Sequence, residues 1–196
     1  MKLPKSFYRR SDVCEIAREL LGKHLCTNLD GITGGMIVET EAYSWRERGC
    51  HAFNNRKTAR NAMMFESGGV AYVYKCYGIL HLINVVTGES EFGEAVLIRA
   101  IQPDTGASLM LERTGQSIKK ITAGPGKLTK ALGIDMRFNG ADLKGDLIWI
   151  EDKKVKLKSA QIIASGRIGI EYAGADARLP WRFSIADNDY VSRMPK

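Results

Sequence analysis

The sequence predicts an α+β fold in a single domain that covers residues 1–196. A chain of this length fits one domain and buries a core without disulfides or metals. Most of the predicted strands follow one another through short turns, as in an antiparallel sheet. The helices are few, and strand–helix–strand alternation is missing. Gly124 and Gly126 alone are a weak signal for a glycine-rich phosphate motif.

The first predicted element is a helix in the segment SDVCEIARELLGK, residues 11–23. Asp12 is placed to cap its first turn, and Glu15 can reach back to complete a capping box. Gly22 marks the end of the helix. Apolar residues recur on one face, which should pack on the core. That face consists of Val13, Ile16, Ala17, Leu20 and Leu21.

The first predicted strand, GGMIVETEAY at 34–43, carries two carboxylates and a tyrosine. In an extended chain Glu39, Glu41 and Tyr43 point to one side, because successive side chains alternate. The opposite side carries small residues. A face of this kind raises the question of whether one of the two glutamates is a catalytic residue.

The later elements alternate between surface segments and strands. Residues 44–62 are polar and basic with little periodicity, which predicts a long surface segment. The lysines of EDKKVKLK, residues 151–158, predict a solvated hairpin between the last two strands. Beyond the first strand, we expect helices at 104–115 and 124–134 and strands at 69–78, 80–86, 94–101, 145–152 and 155–170.

Composition limits the possible function classes. The net charge of +7 and the pI near 9.3 favour a polyanionic partner such as nucleic acid, although charge alone does not establish one. The four cysteines form no C-x-x-C pair, which argues against a zinc ribbon, and we expect reduced thiols. No signal peptide and no run of roughly 18 apolar residues is present, so we expect a soluble protein of the cytoplasm or nucleoid.

The segment YVYKCYG, residues 72–78, is rich in tyrosine. Tyr72 and Tyr74 share one face of their strand. Tyr77 breaks this parity and precedes Gly78, which predicts a hairpin tip. Two interpretations stay open: tyrosines that cap the edge of the core, or an aromatic wedge that enters a base stack.

The loop before this strand is basic, with Glu47 as its single acid. Its cations could bind phosphates, with Thr58 and Asn61 as neutral donors, and a solvated loop is the alternative. His51 lies in the same loop, either in a structural hydrogen bond or as a donor to a ligand. The cations are Arg46, Arg48, Arg56, Lys57 and Arg60.

Glu39 and Glu41 would lie roughly 7 Å apart on one strand face. The economical interpretation is one carboxylate that acts with a water and another held in a salt bridge. The paired carboxylates of a glycoside hydrolase are the alternative. Arg99 places a charge inside the apolar strand 94–101, so we expect a glutamate as its partner.

Six segments occur in the order and at nearly the spacings of one known family. They are GMIVETEAY (35–43), CHAFNNRKTARNAMMF (50–65), YVYKCYGILHLINVV (72–86), AVLIRAIQP (95–103), GPGKLTKALGI (124–134) and RIGIEYAG (167–174). With them the chain resembles the alkyladenine DNA glycosylases, also called 3-methyladenine or methylpurine DNA glycosylases, from about Ser6 to Phe183. The resemblance implies a single domain around a curved, mostly antiparallel sheet with flanking helices, without a metal and without a cofactor.

The resemblance also implies roles for individual residues of the site. Glu41 matches the residue that deprotonates the attacking water, and Arg99 matches an arginine that helps to hold this water. Ile168 matches a position whose backbone lies near it. Asn84 matches an asparagine that excludes the exocyclic amine of guanine. The pocket that sandwiches the flipped base is matched by Tyr43, His51 and Tyr74.

Contacts to DNA are implied in the same way. Tyr77 matches the side chain that fills the gap left by the flipped nucleotide. Its neighbours Ile79 and Leu80 replace bulkier residues of the vertebrate enzymes, so the wedge inserts less material. Positions that contact the DNA backbone are matched by Arg56, Thr58 and Lys127.

The implied function is base-excision repair. Alkylated or deaminated purines, such as 3-methyladenine and hypoxanthine, would be flipped out of duplex DNA and hydrolysed from the sugar, leaving an abasic site. No lysine stands inside the proposed pocket motifs, which predicts a monofunctional glycosylase without a Schiff base. The expected partner is damaged double-stranded DNA, bound by a monomer. The alternatives are a non-catalytic DNA-binding module and a sugar-acting hydrolase that uses Glu39 and Glu41.

Overall fold

The computed structural model describes residues 1–115 and 121–193. Eight strands form one sheet in this part of the chain: β1 His24–Asn28, β2 Ile32–Ser44, β3 Ala71–Cys76, β4 Leu80–Val86, β5 Glu94–Thr105, β6 Ile148–Glu151, β7 Ile162–Ser165 and β8 Arg182–Ile185. The α-helices are α1 Lys5–Tyr8, α2 Val13–Leu20, α3 Ala107–Thr114 and α4 Pro125–Leu132. Short 3₁₀ helices cover Phe53–Asn55, Ala62–Phe65, Met136–Phe138, Ser159–Gln161 and Glu171–Arg178.

The sheet is antiparallel and is organised around β2. Its main path runs β3–β4–β5–β2–β1–β6, and β8 attaches to β2 and carries β7. All of these pairs are antiparallel, which confirms the predicted α+β class. The register between β2 and β5 shifts around Glu39. Irregularities of this kind bend a strand and re-aim its side chains.

Helix α2 covers one face of the sheet, as its apolar pattern predicts. Ile16, Ala17 and Leu20 are fully buried in the main core. The Asp12 carboxylate accepts hydrogen bonds from the N–H groups of Cys14 and Glu15, so the predicted cap is confirmed. The predicted capping box is wrong, because the Glu15 carboxylate points to Arg10 at 4.0 Å instead.

Segment 44–62 is less superficial than its polar composition predicts. Cys50 and Ala52 are buried in a second core cluster that also contains Tyr72. This cluster lies beneath the loop and anchors it to β3, β4 and β5. The side chain that follows Cys50, His51, is thereby fixed beside the tyrosines of β3.

The predicted strand 155–170 is wrong over most of its length. Only Ile162–Ser165 forms a strand, and it pairs with β8, whereas β6 pairs with β1. The lysine-rich segment 151–158 is therefore no hairpin between these two strands. Its alternating lysines imitate the strand period, but a strand forms only where a partner is available, and the partner of β7 comes later in the chain.

Strand β5 extends further than predicted, through Pro103 to Thr105. Pro103 pairs with Gly35 beside a register shift of β2, where a proline is tolerated. A side chain on Gly35 would collide with the carbonyl of Gln102, so glycine is required at this close approach. Within the described ranges no helix is both long and apolar enough to cross a membrane.

Candidate active site

A cavity of about 860 Å³ opens where the β3–β4 hairpin, the loop 44–62, the start of α4 and the segment 167–172 meet. Its size is within the range of small-molecule sites in proteins. Aromatic rings and cationic side chains line it. Tyr43, Arg99 and Ile168 form the wall behind which Glu41 lies.

Glu41 is fully buried and its carboxylate is held from three directions. Oε1 accepts a 2.7 Å hydrogen bond from the backbone N–H of Ile168, and Oε2 accepts one of 2.7 Å from the hydroxyl of Tyr43. The Nη1 atom of Arg99 lies 3.3 Å from Oε1. A carboxylate offers about four acceptor positions, so these contacts do not use all of them.

Glu39 has different surroundings, although it lies on the same strand face. Its Oε1 accepts hydrogen bonds from Nε of Arg99 at 2.9 Å and from Nε of Arg182 at 2.7 Å. Burial alone would raise the pKa of Glu39, but the two guanidinium groups outweigh it and lower the pKa. The expected glutamate partner of Arg99 is thus confirmed, and the salt-bridged carboxylate is Glu39.

One wall of the cavity is aromatic. Tyr72 and Tyr74 stack with ring centroids 5.4 Å apart, and His51 packs edge-on against Tyr74 at 4.7 Å. The Nδ1 atom of His51 and the hydroxyl of Tyr72 are 3.0 Å apart and share a hydrogen bond. Loss of hydration and then the nearby Arg60 lower the pKa of His51 to about 4, so its imidazole is neutral at physiological pH.

The expected sandwich of Tyr43, His51 and Tyr74 stays a prediction. His51 and Tyr74 touch each other on one wall of the cavity, and Tyr43 lines it as well. Tyr72 belongs to the same wall but was not among the predicted pocket residues. Its parity with Tyr74 on β3 was the signal that could have placed it there.

Asn84 lies on β4 opposite Tyr72 and lines the cavity. Its side chain is buried, and its amide donates a 3.1 Å hydrogen bond to the carbonyl of Tyr72. This bond fixes the amide at the wall formed by the tyrosines.

Tyr77 stands at the tip of the β3–β4 hairpin and is 92% exposed. Tyr77 and Gly78 both have positive φ, 50° and 74°, and the N–H of Ile79 bonds to the carbonyl of Cys76 at 3.3 Å. This is the geometry of a type I′ hairpin turn. A bulky side chain is rare in the left-handed region, and such strain is typical of functional positions.

Cationic side chains surround the cavity. Lys127 and Lys130 of α4, both in the segment 124–134, line it, so the expectation that no lysine stands in the pocket is wrong. Arg60 also lines it and lies over the Tyr74 ring at 5.6 Å. Arg56 and Thr58 are exposed in the neighbouring loop.

Two residues of the basic loop have structural tasks. Asn61 is buried and its amide donates to the carbonyls of His51 and Arg56, so its predicted role as a donor to phosphate is wrong. Glu47 is buried as well, in a bidentate ion pair with Arg167 at 2.7 Å. The folded path of the loop determines the partners of Asn61 and Glu47, and the sequence pattern does not show this path.

Arg167 is the main site residue to which the sequence analysis assigned no role. Its guanidinium lies 4.7 Å over the Tyr43 ring and donates to the carbonyl of Ala42. Arg167 therefore fixes the Tyr43 ring. Because Ile168 is the next residue, Arg167 also fixes the position of the Ile168 N–H. Among the described residues no three His, Cys, Asp or Glu side chains are grouped in a way that would hold a metal ion.

The chain matches the family described as methylpurine-DNA glycosylase over residues 6–189. It is also similar to proteins named "Putative 3-methyladenine DNA glycosylase" from three bacteria. The protein from Chlamydia pneumoniae is 45% identical over 95% of this chain and 96% of its own length. The protein from Chlamydia abortus is 47% identical over 93% of this chain and 97% of its own length. The protein from Carboxydothermus hydrogenoformans is 44% identical over 98% of this chain and 100% of its own length. The chain therefore belongs to the methylpurine-DNA glycosylase family.

Proposed function

We propose that this protein is a monofunctional DNA glycosylase that removes alkylated and deaminated purines, including 3-methyladenine and hypoxanthine, and leaves an abasic site. One observation carries the proposal. A buried carboxylate, Glu41, is fixed by Ile168 and Arg99 directly behind a cavity with aromatic walls. Family membership and the names of the relatives support the substrate class.

The target base has to leave the duplex before it can reach this cavity. Rotation of a nucleotide out of the stack costs a few kcal/mol, and least for damaged or mispaired bases. Tyr77 is suited to fill the vacated space, because it projects from a hairpin tip at the edge of the cavity. The neighbouring Ile79 is also exposed and adds apolar surface.

The cavity then selects among bases. A purine enters between Tyr43 and the pair formed by His51 and Tyr74, where aromatic faces attract an N-alkylated, cationic base. His51 is neutral and so does not repel it. Asn84 excludes bases with an additional exocyclic amine, as in guanine. Normal adenine lacks the weakened glycosidic bond of an alkylated purine, and hydrogen bonds to the base edge have to distinguish it from the neutral hypoxanthine.

The chemistry is hydrolysis of the N-glycosidic bond. A water held against Glu41 attacks C1′ of the sugar, the bond to the base breaks with its electron pair on the base, and Glu41 takes the proton. The negative charge also stabilises an oxocarbenium-like sugar. Arg99 helps to hold the water. For neutral lesions the departing base also needs a proton from solvent or a side chain.

The partner is duplex DNA, bound by a monomer of the protein. Lys127, Lys130 and Arg60 at the cavity, with Arg56 and Thr58 beside it, supply contacts to phosphate that carry no sequence preference. Binding should therefore weaken steeply as the salt concentration rises.

Base release from defined duplexes tests the proposal. One duplex carries hypoxanthine, a second carries a methylated purine, and a third is undamaged. Each is incubated with the protein and analysed with and without hot alkali. Strand breaks only after alkali and only at the lesion support the proposal, whereas binding without breaks on either lesion favours a DNA-binding module.

Borohydride treatment tests the monofunctional mechanism separately. Lys127 and Lys130 line the cavity, so a Schiff-base mechanism has candidate nucleophiles. We expect no covalent protein–DNA adduct. An adduct that disappears in Lys127→Ala or Lys130→Ala would replace the monofunctional mechanism with a lyase.

A further inference from the structure

Ser192 reaches the salt-bridged carboxylate of Glu39. The backbone N–H of Ser192 donates a 2.7 Å hydrogen bond to Oε2 of Glu39, across 153 positions of sequence. Its hydroxyl donates to Oε1 of Glu39 at 3.0 Å and lies 3.5 Å from an Nη atom of Arg99. Ser192 thus contacts both members of the ion pair between Glu39 and Arg99.

Four buried charges meet at this point. Glu39 and Glu41 are fully buried, and Arg99 and Arg182 are 7% and 2% exposed. Buried charges of this kind are stable only when each is paired and hydrogen-bonded. The two positive and two negative groups balance, so the position of each guanidinium depends on all of its neighbours.

Arg99 is shared unequally between the two glutamates. Its Nε atom lies 2.9 Å from Glu39, whereas its Nη1 atom lies 3.3 Å from Glu41. Guanidinium groups prefer short, bidentate pairing with a carboxylate. Glu39 therefore holds Arg99 back from a tight pair with Glu41, and such a pair would occupy the acceptor position that the attacking water needs.

We propose that Ser192 is a positioning residue for the glycosylase reaction. By bonding both oxygens of Glu39 and contacting Arg99, it sets the distance between Arg99 and Glu41. Without the Ser192 hydroxyl, the Nη2 atom of Arg99 loses an acceptor, and the guanidinium turns towards Glu41. The catalytic consequence rests on the proposed function, but the contact itself does not.

The chain offers a matched control in Ser184. This serine is also buried, lies on β8 and pairs with Glu39 in the register of the sheet. Its hydroxyl has no hydrogen-bond partner among the residues that the structure describes. Ser184→Ala therefore removes the same group from the same neighbourhood without touching the charges.

The test compares Ser192→Ala, Ser192→Thr and Ser184→Ala. Single-turnover base release with enzyme in excess gives the rate, and titration of the lesion duplex gives Kd. We expect Ser192→Ala to be about tenfold slower with unchanged Kd, as for loss of one bond to a charged group. Ser192→Thr should recover the rate because it keeps the hydroxyl, and Ser184→Ala should match wild type. Equal rates for Ser192→Ala and Ser184→Ala would overturn the proposal.

A second measurement does not depend on activity. Exchange of the Arg99 Nε–H with solvent, followed by NMR, reports how firmly Glu39 holds the guanidinium. It should accelerate in Ser192→Ala but not in Ser184→Ala, and unchanged exchange in both would contradict the positioning role. If wild type released no base from any lesion duplex, the proposed function would fail, while the exchange rates would still decide the role of Ser192.

Discussion

The backbone N–H of Ile168 donates a 2.7 Å hydrogen bond to Oε1 of Glu41, although 127 positions separate the two residues. The segment after β7 thereby sets the direction in which the carboxylate faces. Arg167 fixes this segment, because it pairs with Glu47 and lies over the ring of Tyr43. The orientation of the carboxylate thus depends on contacts between distant parts of the chain.

Glu47→Gln should destabilise the protein strongly. It leaves the fully buried Arg167 without its charged partner, and breaking a buried pair costs about 3–5 kcal/mol. Glu19→Gln is the control, because both side chains of the Arg10–Glu19 pair are partly exposed, and it should cost about 1 kcal/mol or less. Urea unfolding measures both. Equal, small losses would show that the Glu47–Arg167 pair does not anchor the segment.

Tyr77→Gly should separate stability from function. Glycine adopts positive φ without strain, so the variant should be as stable as wild type or up to about 1 kcal/mol more stable. The variant also removes the ring that fills the vacated stack. Stacking of one base on an aromatic ring contributes about 1–3 kcal/mol, so the affinity for a lesion duplex should fall about tenfold. Thermal unfolding and fluorescence titration test this. Tyr77→Phe keeps the ring and is the control, which should bind as wild type does, and an unaltered affinity of Tyr77→Gly would exclude the wedge.

His51 should make stability depend on pH in a defined window. Its folded-state pKa is about 4 and its ordinary value is 6.5, so the unfolded chain takes up the proton first as the pH falls. Stability due to neutral His51 is therefore complete above 6.5 and is lost as the pH falls towards 4. NMR titration of the imidazole gives the pKa directly. His51→Gln should lack this part of the pH dependence. His51 is partly exposed, so a measured pKa near 6.5 would show that the ring keeps its hydration beside the tyrosines.

Lys127→Ala should weaken binding to damaged and undamaged duplexes alike. If the side chain neutralises one phosphate, the plot of log affinity against log salt loses about one unit of slope. Lys156→Ala is the control, because Lys156 is exposed in the segment 151–158 and lies outside the cavity. Titrations at several salt concentrations measure both slopes. Identical slopes for the two variants would place Lys127 away from the DNA backbone.

Local pattern predicted much of the site. The period of β2 places Glu39 and Glu41 on one face, and an arginine inside an apolar strand requires the glutamate that it finds. The glycine after Tyr77 marks the hairpin tip. These features depend on residues near one another in sequence, where alternation and turn chemistry act directly.

Contacts between residues that lie far apart in sequence could not be predicted from such local patterns. Glu47 and Arg167, and Glu39 and Ser192, are joined across more than a hundred positions, and no local signal links them. The pairing of β7 with β8 was missed for the same reason. The lysines of α4 reach the cavity only because the helix packs against β4.

The central claim is that Glu41 activates the water that attacks the sugar, and Glu41→Gln tests it most directly. Single-turnover base release from a lesion duplex is compared with the affinity for the same duplex. We expect the rate to fall by about 10² to 10⁴ while the lesion duplex is still bound, because the amide cannot accept the proton. A rate within a few-fold of wild type, at equal affinity, would contradict the assignment of Glu41 as the catalytic base.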